Sequence, residues 1–335
     1  MERTAILVTG GAGYIGSHTV RSLHEKGFQV VVLDNLVYGH RKAILNAEVE
    51  LVEGSVGDRE LLDSLFARYR FAGVIHFAAY AYVGESVQTP LKYYRNNTAD
   101  PLILLEVMAE HDCKAFVFSS TCATYGEPNK LPLPEDHPQR PINPYGRSKL
   151  MLEWVLEDCD TAWGLKSAAL RYFNASGCSG DALIGEDHDP ETHLIPLVLM
   201  AAKGERPQIT VFGTDYPTED GTCIRDYIHV EDLAEAHVKA VHHLLEGRDS
   251  LQCNLGTGVG VSVKEIIDIA EEVTCRKIPV IYGPRRPGDP ARLVADPSLA
   301  MELLGWEARH KGVRTMIETA WQWMSQDHGG HFPEN

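Results

Sequence analysis

The residues with the clearest chemical potential are a tyrosine and a lysine, Tyr145 and Lys149, near the middle of the chain. Pro144 suits the first turn of a helix, where its missing N–H costs no hydrogen bond, so a helix should begin there. Residues four apart lie on one helical face. An ammonium fixed beside a phenol favours the phenolate and lowers its pKa from about 10, which makes proton transfer plausible. Taken alone, the spacing is also explained by an ordinary exposed helical turn.

A glycine-rich loop near the start of the chain is the second candidate for chemistry. The apolar run at residues 5–8 predicts a strand buried on both faces, and it leads directly into Gly10, Gly13 and Gly16. Glycines allow a tight turn and the close approach of a pyrophosphate to the backbone. A helix over residues 15–26 would then point its N-terminal amides at the phosphates.

The next predicted strand, residues 29–33, ends in an acid, Asp34. A carboxylate at this position can accept hydrogen bonds from both ribose hydroxyls and would repel a 2′-phosphate. The order strand, glycine loop, helix, strand and acid therefore predicts an NAD site in preference to an NADP site.

The α/β alternation continues and defines the elements that must position these residues. We predict further strands at residues 50–53, 74–79, 115–118 and 166–171, and helices at 59–67, at 90–111 with a break at Pro101, and from 144 onward. This order predicts an α/β fold, a Rossmann-type doubly wound parallel sheet with a smaller mixed α/β C-terminal substrate domain. Thr121 follows the fifth strand toward the predicted cofactor crevice, so we expect it to bind substrate; a hydroxyl satisfying its own strand end is the simpler alternative.

The composition of the chain changes near residue 175. We expect an NAD-binding domain at residues 1–175, a substrate-binding domain at 176–335, and a segment near 224–256 that returns to the first domain. Arg225 and Arg286 are natural phosphate ligands because their guanidinium groups donate several hydrogen bonds, although surface ion pairs are the plain alternative.

Composition excludes several classes of partner. The chain has 335 residues and a formal net charge of −16, which argues against binding to nucleic acid or to an anionic membrane. Its seven cysteines are scattered without metal-binding spacing, so we expect reduced thiols, no metal site and a cytoplasmic location. The helix that begins at residue 144 carries more apolar residues than one packed face needs, because Met151, Trp154 and Val155 lie on its other sides. They suggest a homodimer contact, or else burial under the protein's own loops.

These residues together carry a family resemblance over nearly the whole chain. The glycine loop and the Tyr145/Lys149 pair resemble the extended short-chain dehydrogenase/reductase superfamily. Within it, the chain is similar to the family of UDP-glucose (UDP-galactose) 4-epimerases, and the segments that carry this similarity are 83–88, 171–174, 212–222, 225–230 and 254–256. The resemblance implies bound NAD, a UDP-sugar substrate and a homodimer.

The resemblance also implies roles for individual residues. Tyr145 would be the catalytic base, Lys149 its pKa partner, and Thr121 the hydroxyl on the sugar. Implied cofactor contacts are Gly10, Gly13, Tyr14, Ile15, Gly16, Asp34, Asn35, Ser55, Val56, Phe77, Ala78, Asn97, Ser119, Tyr145, Lys149 and Tyr172. Implied substrate contacts are Thr121, Tyr145, Asn174, His193, Leu194, Thr210, Phe212, Arg225, Arg286 and Asp289.

The implied reaction is reversible inversion at C4 of the sugar, through transient oxidation to a 4-keto sugar by bound NAD and hydride return to either face. A 4,6-dehydratase begins with the same oxidation but usually needs an Asp-Glu pair after the threonine, where this chain has Cys122 and Ala123. The same residues would also suit a 4-epimerase of UDP-N-acetylhexosamines or UDP-pentoses, or a non-catalytic nucleotide-sugar sensor.

Three positions depart from the family pattern. Ser55 stands where an aspartate usually binds the adenine amino group, and Ala81 stands where many members have a lysine. Leu293 stands at the position that often sets pocket size near the sugar, and it is neither a large aromatic nor a small residue.

Overall fold

The structure, a computed structural model, describes residues 3–286 and 289–332. Strands β1–β13 are Ala5–Thr9, Gln29–Asp34, Glu50–Glu53, Phe71–His76, Ala115–Thr121, Lys166–Tyr172, Asn174–Ser176, Ile209–Phe212, Ile224–His229, Leu251–Leu255, Gly260–Ser262, Val280–Gly283 and Arg292–Leu293. Helices α1–α11 are Tyr14–Glu25, Arg59–Arg68, Val83–Gln88, Pro90–Tyr94, Asp100–Glu110, Pro144–Trp163, Leu194–Lys203, Val230–Leu245, Val263–Thr274, Ser298–Leu304 and Val313–Met324.

A seven-stranded parallel sheet is the frame of the molecule. Its strand order is β10-β6-β5-β4-β1-β2-β3, and every neighbouring pair is parallel. Side chains alternate between the faces, so Ile6 and Val8 join a core with α1 and α8, whereas Leu7 joins a second core with α2, α5 and α6. The strand order reverses between β1 and β4, which is where ligands bind in such sheets. The predicted Rossmann-type sheet is confirmed.

The second half of the chain builds a smaller mixed region. Strand β9 is central to a four-stranded sheet with β7, β11 and β13, and β8 pairs with β12. Helices α7, α9 and α11 form its apolar core. The chain then returns to the large sheet, because α8 packs against α1 and β10 pairs with β6.

Three predicted element boundaries differ from the structure. Strand β5 runs on to Thr121, three residues past its predicted end at residue 118. The break expected at Pro101 is wrong: Pro101 lies in the first turn of α5, where a missing N–H is tolerated, and the irregularity is a π-helical turn at Arg95–Ala99. Strand β4 runs over Phe71–His76, about three residues earlier than predicted. No helix in the described ranges is both long and apolar enough to cross a membrane.

Candidate active site

A cleft of about 470 Å³ opens along the carboxyl ends of the central strands. Most of the predicted site residues line it: Gly10, Gly13, Tyr14, Ile15, Gly16, Asp34, Asn35, Ser55, Val56, Phe77, Ala78, Ser119, Thr121, Tyr145, Lys149, Tyr172, Asn174, His193, Arg225 and Asp289. Five predicted residues lie outside the lining: Asn97, Leu194, Thr210, Phe212 and Arg286.

The glycine loop between β1 and α1 forms one wall of the cleft. Gly10 has a φ of +72°, and a Cβ atom added there would lie 2.5 Å from the backbone nitrogen of Ala78. The loop therefore packs backbone against backbone with the segment after β4, and its residues at the start of α1 line the cleft. This cradle fits a diphosphate, which the helix N-terminus favours through its free amides and dipole.

Asp34 ends β2 beside that loop and is oriented by two backbone amides. Its Oδ2 accepts a hydrogen bond from the amide of Ala12 at 2.9 Å, and its Oδ1 accepts one from Leu36 at 2.8 Å. Burial raises the pKa of this carboxyl, and the two amides act in the opposite direction. The fixed carboxylate fits a ribose diol, so the loop and the acid together fit NAD.

Tyr145 meets Thr121 at the floor of the cleft. Burial raises the pKa of the Tyr145 phenol well above its usual range, Tyr172 adds to this, and the neighbouring Thr121 hydroxyl opposes it. Thr121 is the last residue of β5, and its Oγ1 also accepts a hydrogen bond from the Ala123 amide at 3.1 Å. The strand end thus sets the hydroxyl beside the phenol.

Lys149 is buried one helical turn beyond Tyr145, but its ammonium points to another group. The Nζ atom donates to the backbone oxygen of Ser119 at 2.8 Å and lies 4.9 Å from the centre of the Phe118 ring. Burial lowers the pKa of Lys149 to about 7, although Glu153 acts to raise it. Contrary to the lowering expected from Lys149, burial is the largest influence on the Tyr145 pKa and raises it, while the Lys149 ammonium is bound to a carbonyl.

A buried ion pair lies beneath Lys149. Glu153 and Arg171 have side chains that are each 1% exposed, and an Arg171 Nη2 donates to Glu153 Oε2 at 2.6 Å. Ser120 and Gln139 also donate to the Glu153 carboxylate. Sequence reasoning missed this pair, although Glu153 stands four residues after Lys149 and therefore shares its helical face.

Asn97 lies outside the cleft lining but holds one wall of the cleft in place. Its Oδ1 accepts from the Tyr80 amide and its Nδ2 donates to the Tyr80 carbonyl, both at 2.9 Å, and Nδ2 also donates to Ser148. This clamp holds the loop after β4 against α6. Its neighbour Asn96 lines the cleft instead.

The other end of the cleft carries cations and amides. Arg225 forms an ion pair with Asp289, and the Asn174 Nδ2 donates to the Asp226 carbonyl at 2.8 Å. Beyond the lining, the Arg286 guanidinium lies 4.1 Å from the centre of the Phe212 ring. Thr210 precedes Phe212 on β8, and Leu194 begins α7.

Several lining residues were not found from the sequence. They are the aromatic group Tyr38, Tyr80 and Tyr82, and the charged residues Glu186 and His188. The alternation of Tyr80 and Tyr82 after β4 could have indicated that both side chains face the cleft. The long loop after β7 offered only its density of polar residues.

Comparison with known proteins identifies the family of the chain. The model of the NAD dependent epimerase/dehydratase family matches residues 6–256. The UDP-glucose 4-epimerase of Halalkalibacterium halodurans is 51% identical over 331 residues, covering 99% of this chain and 98% of the relative.

Two solved structures share the whole architecture. The UDP-glucose 4-epimerase of Brucella ovis in complex with NAD is 50% identical, with a TM-score of 0.93 and 98% of each chain covered. The enzyme of Bifidobacterium longum, in complex with NAD⁺ and UDP, is 40% identical, with a TM-score of 0.91 over 98% of this chain and 100% of that one. The chain belongs to the NAD-dependent epimerase/dehydratase family, in the branch that includes the UDP-glucose 4-epimerases.

Proposed function

We propose that the protein interconverts UDP-glucose and UDP-galactose by inverting the configuration at C4 of the sugar. The observation that carries this proposal is the meeting of Tyr145, Thr121 and Lys149 in one cleft with the glycine loop and Asp34. The similarity to UDP-glucose 4-epimerases over 99% of the chain supports it.

NAD is the cofactor. It supplies the two-electron acceptor that oxidises C4 to a ketone and then returns the electrons, so that no net oxidation occurs. The glycine loop would hold its diphosphate, Asp34 its adenosine ribose, and Lys149 its nicotinamide ribose. Ser55 and Val56 lie at the end of the cleft beyond β3, where the adenine would be bound.

The chain's own residues provide proton transfer and anchoring. Tyr145, which lies beside Thr121, would remove the proton of the 4-hydroxyl and later return it. The buried Lys149 provides the positive charge that favours the phenolate once its ammonium faces the cleft. Asn174, Arg225 and Asp289 would hold the UDP moiety, with Phe212 and Arg286 beside them. Anchoring at the diphosphate leaves the sugar ring free to present either face.

The lining of the cleft disfavours the dehydratase alternative. Cys122 takes the place where an acid would act, and burial raises the pKa of its thiol to about 12. A neutral thiol beside Ala123 cannot replace a pair of carboxyl groups. Leu293 lines the cleft at the sugar end, so the accepted sugars, including N-acetylhexosamines and pentoses, depend on the room beside this side chain.

The direct test is the Tyr145→Phe variant, assayed with UDP-galactose, UDP-N-acetylgalactosamine and UDP-arabinose. We expect turnover to fall by at least about 100-fold, since proton transfer contributes about 10²–10⁴-fold, while NAD stays bound. Tyr282→Phe is the matched control because Tyr282 is 69% exposed on β12. Near-normal turnover in Tyr145→Phe would refute the assignment, and activity with only the last two sugars would redirect it to another UDP-sugar.

We also propose a cytoplasmic homodimer with two functional regions. Residues 1–175 with 224–256 would bind NAD, and the remainder of 176–335 would bind the UDP-sugar. All seven cysteines lie in the described ranges and are free thiols, which supports a reducing compartment. Met151 and Trp154 stay exposed, so the protein's own loops do not bury them. With Val87, Leu91 and Leu102 they form an apolar surface on α3–α6 that suits a subunit contact.

A further inference from the structure

Four metal-ligating side chains converge in the loop between β7 and α7. They are Glu186, His188, Glu191 and His193, and their potential ligand atoms all lie within 4.8 Å of one another. The His188 Nδ1 is 3.2 Å from a Glu186 oxygen and 3.8 Å from a Glu191 oxygen. The His193 Nδ1 is 2.5 Å from Glu186 and 3.4 Å from Glu191.

These separations match the edges of a metal coordination shell. A tetrahedral zinc ion with bonds of about 2.0–2.2 Å has ligand atoms roughly 3.3–3.5 Å apart. The distances of 3.2, 3.4 and 3.8 Å lie near that range. The 2.5 Å contact between His193 and Glu186 is a hydrogen bond, and it would have to open by roughly 1 Å.

The orientation of His188 is the second observation. Its Nδ1 is buried and has no hydrogen-bond partner among the described residues, although a Glu186 oxygen lies only 3.2 Å away. A buried polar atom without a partner needs an explanation. Two ligands of one metal ion have this relation, because their lone pairs point at the ion and not at each other.

The cluster is held by its surroundings. The Trp323 indole donates to the Glu186 carbonyl at 3.2 Å, and Glu191 Oε1 accepts from the backbone amide of His193 at 2.7 Å. The side chains of Glu186 and Glu191 are only 6% and 9% exposed. Outer contacts of this kind fix ligands in metal sites.

We propose that Glu186, His188, Glu191 and His193 bind a first-row divalent cation, with Zn²⁺ the best fit. Two imidazoles favour such an ion over Mg²⁺ or Ca²⁺, which prefer oxygen ligands. The cysteine spacing that argued against a metal site in the sequence does not bear on a His/Glu site.

Such an ion has a structural consequence for the cleft. Glu186, His188 and His193 line the cleft, whereas Glu191 does not. Bound metal would therefore fix the 186–193 loop as one wall of the cleft. This inference is independent of the proposed epimerase reaction, since no step of that reaction uses the ion.

The test uses the untagged full chain with its bound NAD, treated with a chelator and then titrated with Zn²⁺ by calorimetry. We expect one site per chain and a higher unfolding temperature with Zn²⁺. Co²⁺ should give the intense visible absorption of a four-coordinate site. His188→Ala and Glu191→Gln should each weaken Zn²⁺ binding by more than about 100-fold, since even outer contacts contribute about 10–100-fold.

His310→Ala is the matched control. His310 belongs to the other group with metal-ligand geometry, His229, Glu231 and His310, and this variant should bind Zn²⁺ like the wild type. For the wild type, the absence of stoichiometric Zn²⁺ binding or a weak six-coordinate Co²⁺ spectrum would overturn the proposal. For the variants, undiminished Zn²⁺ binding in both His188→Ala and Glu191→Gln, or loss of Zn²⁺ binding in His310→Ala, would overturn it as well. The wild-type spectrum decides the matter even if a cluster variant fails to fold.

Discussion

The charge of Lys149 depends on one neighbour on its own helix. Glu153 is the charged group that acts to raise the lysine's pKa, and the same carboxylate neutralises Arg171 in the interior. Glu153 is therefore a positioning residue with two tasks, one for the proton-transfer pair and one for the fold.

Replacing Glu153 tests both tasks at once. Glu153→Gln leaves the Arg171 charge buried without its partner, so we expect a loss of about 3–5 kcal/mol in the free energy of unfolding. The pH profile of the remaining activity should shift to lower pH, because the Lys149 pKa falls when the Glu153 carboxylate no longer raises it. Glu157→Gln, an exposed position one turn further along α6, should change the free energy of unfolding by less than about 0.5 kcal/mol. Equal stability of the two variants in urea denaturation would contradict this account.

Lys149 itself should make stability depend on pH. Its folded pKa of about 7 lies below the ordinary 10.5, so the unfolded chain binds more protons between these values. Burial of the Lys149 ammonium therefore lowers the free energy of unfolding by its full amount below pH 7. This loss becomes smaller as the pH rises toward 10.5, by about 1.4 kcal/mol per pH unit.

The Lys149→Met variant checks that sign in cofactor-free protein. We expect the variant to be more stable than the wild type at pH 7, with a smaller difference at pH 9, measured by urea denaturation. Lys130→Met, at an exposed position, is the control and should show no such trend. If the difference in free energy of unfolding between Lys149→Met and the wild type grew with pH, the predicted sign would be wrong.

Some of the site could be predicted from single residues and some could not. Tyr145, Lys149 and Thr121 follow from helical spacing and from the end of a buried strand, and all three line the cleft. The orientation of Lys149 toward the Ser119 carbonyl could not be inferred, because it depends on burial between α6 and β5. Glu186 and His188 reach the cleft through a loop without periodicity, so no repeat in the sequence indicates where they lie.

At the level of elements, the glycine loop depends on how closely two backbone segments approach. Gly10→Ala should lose bound NAD and about 3 kcal/mol of stability or more, since its Cβ would lie 2.5 Å from the Ala78 nitrogen. Gly27 has a similar positive φ of +87° but nothing within 4 Å of an added Cβ. Gly27→Ala should retain NAD and lose only about 1–2 kcal/mol.

The measurements are the NAD content of the purified protein and urea denaturation. The two variants separate two effects. Both glycines have a left-handed backbone conformation, but only at Gly10 would an added Cβ atom lie too close to another backbone segment. Loss of NAD in both variants would show that backbone conformation alone is responsible.

The elements themselves were predictable where burial dominates. Strands buried on both faces appear as continuous apolar runs, so β1 and β2 lie where expected, to within a residue. The π-helical turn before Pro101 was not predictable, because the proline indicated a break and only the structure shows it tolerated in the first turn of α5. Likewise, β4 ends early because the residues after it line the cleft, which no local propensity encodes.

For the whole molecule, the proposed homodimer has a simple test. Trp154 is 55% exposed on α6 and Leu91 is 80% exposed on α4, within the apolar surface on α3–α6. Trp154→Glu should shift the protein to monomers at micromolar concentration, because a charge in an apolar contact loses its hydration without a partner. Light scattering coupled to size-exclusion chromatography measures the mass.

Met301→Glu is the control for that experiment. Met301 is 50% exposed but lies on α10, away from this surface, so the variant should keep the wild-type mass. A monomeric wild type, or dissociation of both variants, would refute this interface.

The return of the chain to the large sheet has a consequence for synthesis. Strand β10 covers the edge of β6, and α8 covers one face, yet the chain reaches Leu255 only after the first part of the smaller region, with α7 and β8, has been made. A nascent chain of 175 residues would expose both an unpaired strand edge and apolar Ile6, Val8 and Leu170. Pairing between such distant segments is slow. The cofactor-binding half is thus first in the sequence but completed late, and a growing chain on the ribosome depends on its own later residues, or on a chaperone, to protect that surface.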